Sequence, residues 1–321
     1  MIFLKDYSEI LDQEIRKIDF PNEPANLYDP LRYFLQLGGK RIRPVLTFLA
    51  GELFESNIED LKRAATAIEL FHNFTLIHDD IMDNAPLRRN QTTVHERWNS
   101  NIAILSGDVL FVKAYETLGK CDPKYVSALL SVFSKTAREV CEGQQMDMDF
   151  ETRTNVSENE YLEMIRLKTS VLLGCALEMG AILGNADTEE RVNIYHFGVH
   201  LGIAFQIQDD ILDLYGSPEK VGKQIGGDVI CNKKTLLSIL AKEKANGPDL
   251  KELESLESEQ NLELKVNATK KLYIKLGVDD SCKQKMNLHF EKALKCLDLI
   301  KNARRNDHLH KLANYILQRD F

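Results

Sequence analysis

The sequence predicts an all-α protein, a single large helical bundle, and three observations carry that expectation. Apolar residues recur at helical spacing through most of the 321 residues. Only 17 Gly and 8 Pro punctuate the chain, and long stretches hold neither, which argues against an all-β chain and against a βαβ alternation. Several of the periodic segments exceed twenty residues, the length range of bundle helices.

Taken in order, helices are expected at 5–18 and 28–37, the second running up to Gly38-Gly39. The next, at 43–54, follows the glycine turn that contains Lys40 and Arg41. The segment 58–83 is a long apolar run that must stop before Pro86. Periodicity places helices at 101–119, 123–150 and 158–183, and the apolar stretch from Val171 to Gly184 is interrupted by Glu178. The helix at 188–215 ends at Gly216-Ser217-Pro218, a terminating signal. Helices at 233–246 and 249–260 are divided by Gly247-Pro248-Asp249, a break followed by an N-cap, and further helices reach about 318. The highly charged stretch from Ala241 to Lys271 reads as a solvated surface hairpin. The length allows one large domain or two modest ones; sparse punctuation favours a single domain over 1–321.

Composition narrows the function classes. Net charge is −8, with no basic block and no basic-aromatic interleaving, so nucleic acid is not an expected partner. The six cysteines form no CxxC and mostly sit in apolar helical surroundings, as reduced thiols of a cytoplasmic protein do. The apolar run at the start is too short for a signal peptide, and no stretch is expected to span a membrane.

Two pentapeptides stand out: Asp79-Asp80-Ile81-Met82-Asp83 and Asp209-Asp210-Ile211-Leu212-Asp213. Each lies where a helix is about to stop, at the negative end of its dipole, where cations belong. The i,i+4 spacing sets like charges side by side, costing about 0.2–0.5 kcal/mol per pair on top of about 0.3–1 kcal/mol per charge from the dipole. One such triad reads as an ordinary solvated helix end. Two call for bound cations, and oxygen-only ligands offered sparsely from a helix suit Mg²⁺, which completes its shell with water and phosphate oxygens.

An acidic protein that binds a polyanion must gather positive charge locally. Gly38-Gly39-Lys40-Arg41-Ile42-Arg43-Pro44 places cations at a glycine turn entering a helix, and Arg88-Arg89 follows the first triad by five residues. Beyond the second triad come Gly222-Lys223 and Lys233-Lys234-Thr235. Gly222-Lys223 is not a nucleotide phosphate loop: the glycine spacing is one residue too long, and Gln224 stands where Ser or Thr should hold the metal. His196 and His200 share a helix face but have no evident third ligand, so core or surface placement is the expected reading. His72 lies seven residues before Asp79, about two turns away on the same face.

These residues resemble the trans-type polyprenyl diphosphate synthases, the head-to-tail isoprenyl chain elongators, over nearly the whole chain. The resemblance rests on both DDxxD motifs, the GGKRIRP turn, Arg88-Arg89, Gly143-Gln144 with Asp147 and Phe150-Glu151, Lys168-Thr169, Phe205-Gln206, and Gly222-Lys223 with Lys233. It implies a helical bundle around a deep central cavity, assembled as a homodimer. It implies that Asp79 and Asp83 hold Mg²⁺ on an allylic diphosphate from one wall and Asp209 from the facing wall, three ions in all, with Asp80 and Asp213 in support. Arg88, Lys168, Thr169, Gln206, Lys223 and Lys233 would grip that diphosphate. Lys40, Arg43, His72 and Arg89 would bind isopentenyl diphosphate, and the allylic partner would be the dimethylallyl, geranyl or farnesyl ester.

The chemistry suits these charges. Ionising an allylic C–O bond needs positive charge on the phosphate oxygens and a dry pocket around the carbocation. No covalent intermediate is required, and no side-chain base is evident, so the departing diphosphate is the expected proton acceptor.

Product length should follow side-chain bulk upstream of Asp79. Phe74 is aromatic, Thr75 is small, and the motif has no insertion. That combination resembles the archaeal-type geranylgeranyl pattern, a C20 product, with farnesyl or longer products as alternatives; residues 111–115 and 141–145 on other helices could also cap the tunnel. A class I terpene cyclase would need no isopentenyl site, and a non-catalytic synthase subunit would carry a degraded triad. Here both triads are intact.

Overall fold

The computed structural model describes residues 2–216, 225–301 and 307–317. It is almost wholly α-helical; among the described residues the only sheet is a two-stranded antiparallel ladder, Leu87–Arg88 with Gln91–Thr92. The helices are α1 (Ile2–Arg16), α2 (Ala25–Gln36), α3 (Ile42–Leu53), α4 (Ile58–Met82), α5 (Val94–Arg97), α6 (Ser100–Leu118), α7 (Pro123–Thr152) and α8 (Glu158–Ile165). A π-helical turn, Arg166–Ser170, leads into α9 (Val171–Leu183) and α10 (Thr188–Tyr215). Then come α11 (Gly227–Ile230), α12 (Leu236–Lys244), α13 (Gly247–Glu257), α14 (Leu262–Lys275), α15 (Val278–Asp298) and α16 (Asp307–Leu317).

The chain forms two compact units. The first comprises Met1–Ser134, Cys175–Ile194 and Arg304–His308; the second comprises Lys135–Gly174, Tyr195–Ala303 and Leu309–Phe321. In the first, α4 lies along α6 and against α3, and Phe34, Phe48, Phe71 and Phe133 are wholly buried. Asn57 starts α4 by accepting the backbone N–H groups of Glu59 and Asp60, whose own charges suit the positive end of the helix. In the second unit, α8, α10, α12, α14 and α15 share one apolar core that includes Ile165, Ile207, Ile211, Leu236 and Leu272. Two helices there begin with reciprocal capping boxes, Ser157 with Glu160 and Thr235 with Ser238.

Three expectations need correction. The helix expected at 158–183 is broken in register by the π turn at 166–170, which periodicity of 3.6 does not reveal. A short hairpin and α5 fill 87–97, where no element was expected. The charged segment 241–271 is also more than a solvated hairpin: Leu253, Leu256, Lys265 and Thr269 are buried in the second unit. Lys265 buries its stem and donates to the carbonyls of Ile230 (3.4 Å) and Glu257 (3.2 Å), the ends of α11 and α13, so its charge meets two helix C-termini.

Among the described residues no helix is long and apolar enough to cross a membrane. All six cysteines are free; Cys121, Cys175 and Cys282 are buried, whereas Cys141 and Cys231 are exposed.

Candidate active site

In the first unit, one helix carries most of the expected residues. His72, Phe74, Thr75, Asp79 and Asp80 lie on α4, and Asp83 is its C-cap, with its backbone N–H bonded to the Asp79 carbonyl at 2.8 Å. The three carboxylates are not equivalent. Asp83 is exposed and Asp79 half-buried, but Asp80 is only 1% exposed and turns inward. Its Oδ1 accepts both Nε and Nη2 of Arg88, at 2.9 and 2.6 Å. Burial pushes the Asp80 carboxyl up from its ordinary pKa, and the Arg88 guanidinium opposes that shift. Arg88 is thus braced by Asp80 through two of its nitrogens.

The glycine turn splits its cations by the same logic. Arg41 takes a left-handed conformation at the N-cap of α3 (φ 51°) and points into the core, where it is paired with Glu69 and Asp12. It is therefore a structural cation, not one of the three presented to an anion as the turn's composition suggested. Lys40 stays exposed. Arg43 donates from Nη1 to His72 Nε2 across 3.1 Å; since guanidinium can only donate, the imidazole accepts there and is neutral. His72 is held well below its ordinary pKa, first by burial and then by Arg43, Arg89, Arg88 and Arg41. Arg89 lies over Gly39, where a Cβ would come within 2.7 Å of Nη2. The glycine at 39 is what lets this guanidinium reach the turn. Arg43, His72 and Arg89 are thereby gathered at the turn that carries Lys40, a cluster of positive charge around a neutral imidazole.

The same unit contains an aromatic cluster upstream of the first triad. Phe74 stacks on Phe111 with centroids 4.9 Å apart and planes 17° from parallel. His78 meets the Phe74 edge at 4.7 Å, and Tyr115 bridges from Phe111 to the buried Phe133. Thr75 spends its hydroxyl on the His72 carbonyl at 2.9 Å.

In the second unit, α10 carries Gln206, Asp209, Asp210 and Asp213. Asp209 and Asp213 are half-buried, whereas Asp210 is only 5% exposed. Asp210 accepts the Tyr161 hydroxyl, the Leu236 backbone N–H at 3.4 Å and Gln206 Nε2 at 3.4 Å. Its carboxyl is pushed up to about 8, by burial first and then by the charge of Asp228, against the effect of those donors. Asp213 receives the N–H of Asp228 at 3.1 Å and, on its carbonyl, that of Gly226 at 2.6 Å, so it anchors the start of α11. Lys233 follows α11, with its N–H on the Asp228 carbonyl at 2.9 Å, and is exposed.

Lys168 and Thr169 stand in the π turn. Lys168 is paired with Asp147 on α7, and the Thr169 hydroxyl donates to Gln206 Oε1 at 3.3 Å. The turn is fitted between two glycines: a Cβ on Gly143 would lie 2.2 Å from Lys168 N, and one on Gly202 2.7 Å from Ser170 Cα. Lys223 lies outside the described residues.

The sequence gives no separate role to Asp210 within its motif and does not point to Tyr161 at all. Asp210 was within reach, because it occupies the same place in its pentapeptide as Asp80. Tyr161 carries no comparable local signal; its role emerges from α8 meeting α10.

Among the described residues no three carboxylate, thiolate or imidazole groups converge to hold an ion by themselves. What both motifs offer is outward carboxylates beside an inward one. Mg²⁺ fits that donor set, since it is bound through one or two carboxylates with phosphate oxygens and water completing the octahedron.

Comparison with known proteins agrees with this geometry. Residues 24–273 match the family model described as polyprenyl synthetase. The chain is 39% identical over 320 residues to the geranylgeranyl pyrophosphate synthase of Geoglobus acetivorans, covering 99% of this chain and 98% of that protein. A crystal structure of a geranylgeranyl pyrophosphate synthase superposes with a TM-score of 0.94 at 41% identity, covering 99% of both chains. The polyprenyl synthase of Caulobacter crescentus CB15, complexed with calcium and isoprenyl diphosphate, is 27% identical with a TM-score of 0.82 over 99% of this chain and 95% of that one.

Proposed function

Because the chain belongs to the polyprenyl synthetase family, we propose that it condenses isopentenyl diphosphate head-to-tail with allylic diphosphates, with C20 geranylgeranyl diphosphate as the main product. The observation that carries this reading is the cluster of Arg43 and Arg89 around His72, a residue of the same helix as the first acidic triad. A prenyl cyclase has no use for a second anion seat; an elongating enzyme needs one for its nucleophile.

In this reading Lys40, Arg43, His72 and Arg89 seat isopentenyl diphosphate. The neutral His72 accepts from Arg43 and so adds no charge of its own while it fixes the guanidinium. Asp79, Asp83 and Asp209 hold Mg²⁺, three ions with substrate bound, and Asp80 and Asp213 support them. When bound, Mg²⁺ supplies positive charge to the diphosphate as it leaves. Arg88, Lys168 and Lys233 add to that charge, and Lys223, by resemblance, does the same. The allylic C–O bond breaks with its electron pair on the diphosphate. Thr169 and Gln206 present dipoles to the carbocation, and the aromatic cluster keeps the hydrocarbon dry. The isopentenyl double bond closes the new C–C bond, and loss of a proton to the departing diphosphate restores an alkene.

Phe74 stacked on Phe111 supports an aromatic barrier upstream of the first triad, in keeping with a C20 product. Ile104, Leu105 and Val112, 42–58% exposed along α6, support homodimer formation through that face. Free cysteines suit a cytoplasmic setting.

The test is incubation with Mg²⁺, isopentenyl diphosphate and each of the C5, C10 and C15 allylic starters, with mass analysis of the dephosphorylated products. C20 product is expected from every accepted starter. Absence of elongation with all of them sinks the proposal, and a cyclic hydrocarbon formed without isopentenyl consumption identifies a cyclase instead. Asp79→Ala should lower kcat by about 10²–10³, the loss that follows removal of one preorganised transition-state stabiliser. Near-normal turnover of that variant would remove Asp79 from the metal site.

A further inference from the structure

We propose that Tyr161 is a positioning residue for the second acidic motif, acting through Asp210; this rests on the reading of that motif as a metal–diphosphate site. Tyr161 stands on α8 in the apolar core of the second unit, 2% exposed among side chains such as Ile165 and Ile207. A phenylalanine would fill that place equally well. A buried hydroxyl without a partner costs free energy, so its presence is explained by what it bonds. Its partner is Asp210 Oδ2.

The other donors to Asp210 are weak. Leu236 N–H reaches Oδ2, and Gln206 Nε2 reaches Oδ1, each at 3.4 Å, beyond the usual range for such bonds. Tyr161 therefore sets the orientation of the carboxyl. Through it one buried group joins α8, α10 and the first turn of α12, and Gln206 extends the network to the Thr169 hydroxyl in the π turn. Asp209 precedes Asp210 directly, and Asp213 lies one turn further along the same helix. A change in how Asp210 is held is carried by the helix backbone into the geometry of both. The first motif makes the parallel plain: its second carboxyl, Asp80, is also buried and also held by one strong partner, Arg88.

The experiment compares Tyr161→Phe with the unaltered full-length chain in two measurements. One is the Mg²⁺ dependence of elongation; the other is calorimetric titration of Mg²⁺ in the presence of inorganic diphosphate, which needs no turnover. The half-saturating Mg²⁺ concentration should rise by about 10–100-fold, the range for loss of an outer partner of a metal ligand set. The kcat at saturating Mg²⁺ should fall by a smaller factor. Tyr273→Phe removes another buried hydroxyl of the same core and should leave the Mg²⁺ response as it was. An unchanged Mg²⁺ response for Tyr161→Phe overturns the proposal, as does a fall in kcat at unchanged Mg²⁺ half-saturation. If Tyr161→Phe does not fold, Asp210→Asn carries the same test, with the same shift expected and an unchanged response equally fatal. Wild-type protein that binds Mg²⁺ with diphosphate yet elongates no starter disproves the elongation reading alone, and the calorimetric comparison then still decides the role of Tyr161.

Discussion

A carboxylate in the last turns of a helix meets the wrong end of the dipole, and this chain answers that problem differently at each position. Asp80 and Asp210 turn inward and are held by Arg88 and Tyr161; Asp79, Asp83, Asp209 and Asp213 remain nearer to solvent. The division is electrostatic, since a buried carboxyl persists only where donors compensate for lost water. Residue type is equally decisive upstream. The stacked pair of Phe74 and Phe111 presents a ring where Thr75 presents only a satisfied hydroxyl. Phe74→Ala is expected to open the floor and shift the product beyond C20, read by mass analysis of the dephosphorylated prenols. A product distribution identical to wild type would assign Phe74 to core packing alone.

At the scale of elements, the π turn at Arg166–Ser170 is the feature that places Lys168 and Thr169 side by side with Asp147 and Gln206. Such single-turn bulges inside helices recur at functional sites because they re-aim side chains without ending the helix. Here the turn exists in the space left by Gly143 and Gly202. At Gly143 the clash of an added methyl is with backbone, which cannot rotate away. Gly143→Ala should destabilise the folded chain by about 1–3 kcal/mol, the usual cost of overpacking, and should lower activity by displacing Lys168. Urea denaturation gives the first quantity. A midpoint equal to that of wild type would show that α7 has room to retreat.

For the molecule as a whole, buried titratable groups make stability depend on pH. His200 and His289 share one hydrogen bond, Nδ1 to Nδ1 at 3.2 Å, which requires one nitrogen to accept. Burial and nearby lysine charge bring each down from 6.5 to about 4. His72 is shifted in the same direction. As pH falls below 6.5 the unfolded chain takes up protons that these folded imidazoles refuse, so their contribution to stability is complete above 6.5 and is lost towards about 4. Asp210 and Asp80 run the other way: their raised pKa values favour the folded state at lower pH, two carboxyls against three histidines. The denaturation midpoint of the metal-free protein should therefore fall between pH 6.5 and 4, and His289→Asn should flatten that fall. An equally steep fall in the variant would move the cause elsewhere in the molecule.

The sequence by itself determined the helical class, the order of most helices, the two acidic motifs and the basic turn, because these are local. Helical period, capping residues and the spacing of charges within a few residues are written along the chain, and the family resemblance rests on the same short motifs. Boundaries shifted by a few residues, as at 236–244 where 233–246 was expected, because ends depend on caps such as Thr235. The direction in which a side chain points is not local. Composition alone could not tell that Arg41 turns away from Lys40 to meet Glu69 on another helix, or that Asp210 is the buried member of its triad. Nor could a period of 3.6 announce a π turn, which is packed against glycines 25 residues before Lys168 and 32 residues after Ser170. Tertiary structure decided those points, since burial sets which charges need partners and only packing brings the partners within reach.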